Sequence, residues 1–356
     1  MLSKILVTGA AGFVGFHLSH YLRYRGYEVL MLDIDDRLDR VDYYNEQLTL
    51  DEEGKLQLHR ADLTRDIRDI PNDLDAIIHL AASPHVDYSY YYPAHVQHNN
   101  VLSTTRLMDL AAKRNIPFIL GSSVEVYGGA KSQPYQESDP YYPMSPYASS
   151  KVSCEVLLHT YIRCFGLKGK IFRLTNLYGP WQAPDRIIPR NICRICDQEP
   201  LDIQSNVVRD FLYIDDAIRA ITTIMERGQD GHVYNISTGR GTSMSEVGSV
   251  LSALAGDDYR LDTLRYDQEF TNARGASLVI RSDKLQQELG WSPEIDLTEG
   301  LARTLNWYEE HRLWGSKFRD QYMMERSDRR FIIDVVRRVH TLDLDSPVLD
   351  DLMKIG

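Results

Sequence analysis

The chain has 356 residues, of which 51 are acidic and 40 basic, for a formal net charge of −11, and 43% of its residues are hydrophobic. That size supports one enlarged α/β domain or two domains, and the acidic balance argues against tracking nucleic-acid phosphates or an anionic membrane. Four cysteines make no disulfide framework, which fits a reducing cytoplasm, and no run reaches the roughly 18 apolar residues of a membrane span.

The opening MLSKILVTGA enters a strand directly, without the basic and long apolar stretches of a secretory leader, so a cytoplasmic protein is expected. Residues 4–8 (KILVT) are a short apolar run followed at once by Gly9, Gly12 and Gly15. An amphipathic stretch, FHLSHYLRYR, then stops at Gly26, and YEVLMLD (27–33) reads as a buried strand. Glycines between a strand and a helix allow a tight turn and close approach of a dinucleotide pyrophosphate to the helix N-terminal amides. Asp33, closing the second strand, stands where a carboxylate meets adenosine ribose hydroxyls, which favours NAD over NADP.

Residues 34–54 are polar and read as a loop or a short irregular helix. KLQLHRADL (55–63) and DAIIHLAA (75–82) are the third and fourth strands, about 95–114 is helical, and IPFILGSS (116–123) is the fifth strand. A long helix over 145–166 and a sixth strand over 168–179 follow. Nearly all-apolar strands alternating with helices predict an α/β fold, a doubly wound parallel (Rossmann) sheet. The rhythm changes after Gly179. Residues 180–206 and 241–316 are assigned to a smaller, mostly helical substrate lobe, the chain returning to the 1–179 nucleotide domain at about 207–240. Residues 317–356 are charged yet keep apolar spacing, as a C-terminal helical appendage would.

Tyr147 and Lys151 share one face of the long helix, four residues apart. A free phenol, with its pKa near 10, is a poor base. A lysine one turn away stabilises the phenolate, which is what removing a hydroxyl proton during hydride transfer requires. Ser122 and Ser123, ending the strand before, place a hydroxyl against the same substrate oxygen.

These motifs, with His79-Leu-Ala-Ala82, Ser122-Ser-Val-Glu-Val-Tyr-Gly128, Pro146-Tyr-Ala-Ser-Ser-Lys151 and Arg173-Leu-Thr-Asn-Leu-Tyr-Gly-Pro180, resemble the extended short-chain dehydrogenase/reductase family. More narrowly, the chain is similar to its NAD-dependent nucleotide-sugar epimerases and dehydratases over about residues 1–315. The resemblance implies a tightly held NAD that takes hydride from C4 of a nucleotide-linked hexose, with Tyr147 as base, Lys151 as ribose anchor and Ser123 bridging to the sugar oxygen. It further implies cofactor contacts from Gly9, Gly12, Phe13, Val14, Gly15, Asp33, Asp62, Leu63, Leu80, Ala81, Ala82, Asn100, Tyr147 and Lys151. Ser89, Ser123, Glu125 and Asn176 would meet the nucleotide-diphosphate sugar, and Arg209 and Arg274 would grip its diphosphate. No metal is implied, and a homodimer pairing through the Tyr147 helix and its predecessor is.

A 4-keto sugar can be re-reduced on its other face, lose water across C5 and C6, or lose a C6 carboxylate. In the 4,6-dehydratases the stretch here reading Ser123-Val124-Glu125 resembles Thr-Asp-Glu, the Asp being the acid and the Glu the base at C5. Val124 has no proton to give, so a 4-epimerase is expected. The alternatives are a dehydratase or decarboxylase using Glu125, or a reductase that consumes NAD(P)H. Glu125 itself reads either as a base at C5 or as a carboxylate bonded to nearby backbone. Cys193 and Cys196, without a second pair at zinc-site spacing, read as helix thiols. His85, His95 and His98 read as solvent or substrate-loop residues.

Overall fold

The computed structural model describes residues 3–35, 40–47, 56–65, 67, 69–128, 133–203, 208–256, 261–263 and 277–315. Six strands lead the chain: β1 (Lys4–Thr8), β2 (Glu28–Asp33), β3 (Leu58–Arg60), β4 (Ala76–His79), β5 (Phe118–Ser123) and β6 (Gly169–Leu174). With Val233–Ile236 they form a seven-stranded sheet in the order 3-2-1-4-5-6 followed by that last strand, every pairing parallel. The order reverses between β1 and β4, which opens a crevice at their C-terminal ends.

Alternation along β1 feeds two cores. Ile5 and Val7 join Phe16, Leu18 and Leu22 of helix α1 (Phe13–Tyr24) and the helix Ile214–Arg227 on one face. Leu6 points the other way, where the cluster includes Leu107 and Met108, with Cys154 and Leu158. Each fully buried aliphatic side chain contributes about 1.5–3 kcal/mol, so a sheet covered on both faces needs strands that are apolar throughout.

The expected third strand is only Leu58–Arg60, and the polar stretch after β2 carries α2 (Arg40–Gln47). Two short helices unforeseen as separate elements, α3 (Val86–Tyr91) and α4 (Pro93–Gln97), lead through a π-helical turn at His98–Leu102 into α5 (Ser103–Arg114). The long helix is α6 (Pro146–Phe165). Ser145 caps it by accepting from the Ala148 amide at 3.0 Å, and Gly166 ends it at φ 67°.

The expected sixth strand breaks at Thr175. The Thr175 hydroxyl and the Asn176 amide both donate to the Asp210 carbonyl, at 3.0 and 3.2 Å. That turns Asn176–Tyr178 away to pair with Phe211–Tyr213. After Tyr178 the chain combines helices such as Ile187–Cys196 and Leu297–Glu310 with small sheets, among them Val208–Arg209 between Thr242–Ser243 and Ser277–Leu278. His17 on α1 meets the Pro180 carbonyl at 2.9 Å, and Arg40 donates to the carbonyls of Trp181 and Ala11, so the Pro180–Trp181 segment is tied to the glycine turn. Cys193 and Cys196 lie in the helix Ile187–Cys196 as thiols, not in a disulfide. The appendage read at 317–356 lies outside the described residues.

Candidate active site

The glycine turn leaves β1 for α1 at the crevice. Gly9 has φ +70°, and a Cβ there would lie 2.7 Å from the Ala81 amide nitrogen; a Cβ on Gly15 would collide with the Gly9 carbonyl oxygen. Gly12 caps α1 with no side-chain hydrogen bond, so the first-turn amides, beside Phe13 and Val14, are not engaged by a capping side chain. Such amides suit a pyrophosphate. Asp33 braces the turn, accepting from the Ala11 amide at 3.0 Å and from Ile34 at 2.7 Å. A dinucleotide fits this cradle, and the backbone of Leu80 and Ala81, after β4, lies against Gly9.

Asp62 caps the turn after β3, accepting from the Thr64 amide and hydroxyl, while Leu63 is buried in the core. Asn100 is buried in the π turn and bonded to the Ser83 amide at 2.7 Å and to Ser150 at 2.9 Å, so it fastens α6 to the loop after β4. Ser89 donates to the Val86 carbonyl at 2.6 Å, and Asn176 to the Asp210 carbonyl at 3.4 Å. Neither side chain is joined to the catalytic cluster by a hydrogen bond among the described residues. Arg274 lies outside the described residues.

Ser123 ends β5 and caps the short 3-10 turn Val124–Tyr127, its hydroxyl accepting from the Glu125 amide at 3.2 Å. Tyr147, in the first turn of α6, is 8% exposed. Burial pushes its phenol up to about 12; the Ser123 hydroxyl beside it and Arg186 act downward, and Glu125 acts upward. Lys151 is buried, donates to the Gly121 carbonyl at 2.9 Å and is itself lowered by burial, and Arg186 is a cation that acts on the phenol from elsewhere in the chain.

Among the described residues no hydrogen bond or ion pair reaches the carboxylate of Glu125. Burial raises its pKa, opposed by the charges of Arg209 and Arg186. Arg209 is in turn lowered by burial and supported by Glu125. Val124, one residue earlier, packs into a satellite apolar cluster with Val126, Tyr127, Tyr135, Leu278 and Ile280.

Three residues at the site escaped the sequence reading as a group: Tyr90, which feels the charge of Glu125, Arg186, and His85. His85 lies 3.2 Å from Asp185 and 3.4 Å from Arg186, on loops a hundred residues apart in the chain. No spacing rule links them. His85 was expected as a solvent or substrate-loop residue; for Arg186 the signal was the charged Pro-Asp-Arg step soon after Gly179-Pro180.

The profile of the NAD dependent epimerase/dehydratase family matches residues 5–237. A dTDP-glucose 4,6-dehydratase of Streptomyces griseus is 33% identical over 322 residues, 88% of this chain and 96% of that protein. Among solved structures, the dTDP-glucose 4,6-dehydratase DesIV of Streptomyces venezuelae, with NAD bound, superposes at a TM-score of 0.78 and 30% identity, covering 88% of this chain and 99% of that one. A UDP-glucuronic acid 4-epimerase from Bacillus cereus, in complex with UDP-glucuronic acid and NAD, gives 0.76 at 29% identity over 86% and 99%. Dehydratases and epimerases are both similar to this chain.

Proposed function

This chain belongs to the NAD-dependent epimerase/dehydratase family, and from that premise we propose that it is a nucleotide-sugar dehydratase, oxidising C4 of an NDP-hexose and eliminating water across C5 and C6. The observation that carries this reading is Glu125, a half-buried carboxylate that no described hydrogen bond or ion pair engages, within electrostatic reach of Tyr147 and Arg209. Desolvation with guanidinium charges nearby suits a carboxylate that exchanges a proton with substrate. NAD, when bound, supplies the hydride acceptor and donor.

The chain's own residues handle protons and position. Ser123 orients the C4 oxygen and Tyr147 takes its proton. Oxidation at C4 acidifies the C5 hydrogen, and Glu125 removes it. The same carboxyl, now protonated, gives that proton to the departing C6 hydroxyl, which leaves as water; C6 then takes back the hydride removed from C4, and C5 takes a solvent-derived proton from Glu125. One carboxyl serving in turn as base and acid supplies the proton that Val124 cannot. Arg209 grips the diphosphate, whose charge suits a guanidinium fork.

The 4-epimerase expected from Val124 is the second reading, supported by the apolar packing of that side chain and by the similarity to the Bacillus cereus enzyme. Incubating the enzyme with dTDP-glucose and with UDP-glucuronate in deuterated water, followed by mass spectrometry, separates them. A product lighter by water with deuterium at C5, both lost in Glu125→Gln, is expected. A product of unchanged mass and no C5 label defeats the dehydratase reading; loss of carbon dioxide would make it a decarboxylase.

A homodimer through α5 and α6 agrees with the exposure of Val156 and Phe165 on α6. A cytoplasmic location agrees with four cysteines that are thiols rather than disulfides.

A further inference from the structure

On the sheet side of α6, behind the catalytic residues, a buried polar group joins segments that are far apart in the chain. Glu155 follows Tyr147 by about two helical turns and is fully buried. Its Oε2 accepts from Arg173 Nη2 at 2.7 Å and from the Tyr141 hydroxyl at 2.9 Å; its Oε1 accepts from Arg173 Nε at 3.0 Å and from the Ser122 hydroxyl. Arg173, on β6, donates again through Nη1 to the Tyr127 hydroxyl at 2.6 Å, and that hydroxyl donates to Asn235 on the returning strand at 2.7 Å.

The placement of these bonds is specific. Ser122 immediately precedes Ser123, and Tyr127 ends the turn that carries Glu125. The group therefore holds the Ser123–Glu125 segment at both ends and ties it to the helix that carries Tyr147. Apolar contacts alone would let a helix settle on a sheet in several registers, whereas a satisfied buried ion pair admits one. Such a pair contributes little net stability compared with an apolar replacement, so its effect here is on position.

We propose that Glu155, with Arg173, is a positioning pair that sets where Ser123 and Glu125 stand relative to Tyr147. The proposal rests on the reading of Tyr147 as the base at C4 and is independent of whether elimination follows. The charge of Glu155 also acts upward on the pKa of the buried Lys151, against the lowering by burial.

Two variants test it. Ser122→Ala removes only the strand-side bond, leaving the ion pair intact, and Glu155→Gln keeps the size but removes the charge. Each is assayed for the single-turnover rate of nicotinamide reduction with dTDP-glucose or UDP-glucuronate, for NAD affinity and for melting temperature, and each is crystallised. In Ser122→Ala we expect the rate to fall about tenfold or more, with NAD affinity, KM and melting temperature unchanged; Glu155→Gln falls further. In the crystals the Tyr147 hydroxyl stands farther from Ser123 by about 1 Å. An unmoved Tyr147–Ser123 separation in both variants overturns the proposal, turnover or no turnover. So does a rate loss that only follows the fraction of folded protein.

Discussion

The carboxylate of Glu125 raises the pKa of the Tyr147 phenol, and the guanidinium of Arg186 lowers it. The base of the first step is thus tuned by the group assigned to the second. Removing an anion beside a phenol favours the phenolate, so Glu125→Gln should move the alkaline rise of nicotinamide reduction to lower pH. Arg186→Leu should move it to higher pH. Stopped-flow rates across the pH range check both directions, and two unmoved profiles would show that neither charge reaches the phenol.

Tyr147→Phe should fold and bind NAD as the parent does, with turnover lower by about two orders of magnitude or more. Turnover is measured on the nucleotide sugar accepted by the parent, and retention of NAD through gel filtration reports the cofactor end. Turnover equal to the parent's would remove Tyr147 from the mechanism.

A Cβ on Gly15 meets the Gly9 carbonyl oxygen and lies 2.8 Å from Ala10 Cα. Backbone atoms in a tight turn have little room to give. Gly15→Ala should therefore weaken NAD binding about tenfold or more, read by titration calorimetry. An affinity equal to the parent's would show that the turn can open without cost.

Arg209→Leu removes the cation proposed to grip the diphosphate and leaves Glu125 with one opposing charge fewer. Losing charge-assisted bonds of about 1.5–3 kcal/mol should raise KM for the nucleotide sugar about ten- to hundred-fold. Free dTDP should lose affinity in parallel; if it binds as before, Arg209 serves the sugar end instead.

His79 is buried between two threonines. Thr104 donates to the Asn100 carbonyl, so its oxygen accepts from His79 Nε2, and Thr8 donates to Nδ1 at 2.7 Å. Burial depresses the imidazole to about 3 from its ordinary 6.5. The unfolded chain therefore takes a proton that the folded protein refuses. This contribution is complete above about pH 6.5 and is lost as pH falls toward 3, about 2–3 kcal/mol having gone by about pH 4.5. Thermal melts should show that acid slope in the parent and a shallower one in His79→Gln.

Local patterns were legible in the sequence because short-range physics writes them. A strand covered on both faces must be apolar throughout, so β1, β2, β4 and β5 stood out. Gly9, Gly12 and Gly15 are required by contacts within one turn, and Tyr147 and Lys151 share a face through helical periodicity alone. β3 was overdrawn because the apolar pattern of 55–63 continues past the three residues that pair. What depends on residues distant in the chain was decided only by the tertiary structure. Asp210 diverts the segment after Thr175 from the main sheet; Arg186 comes within electrostatic reach of Tyr147 from far along the chain; Glu155 finds Arg173 and Ser122 on neighbouring strands. The placement of Glu125 belongs to the same class, because the burial and the charges acting on a carboxylate come from every element packed around it, and no spacing along the chain encodes them.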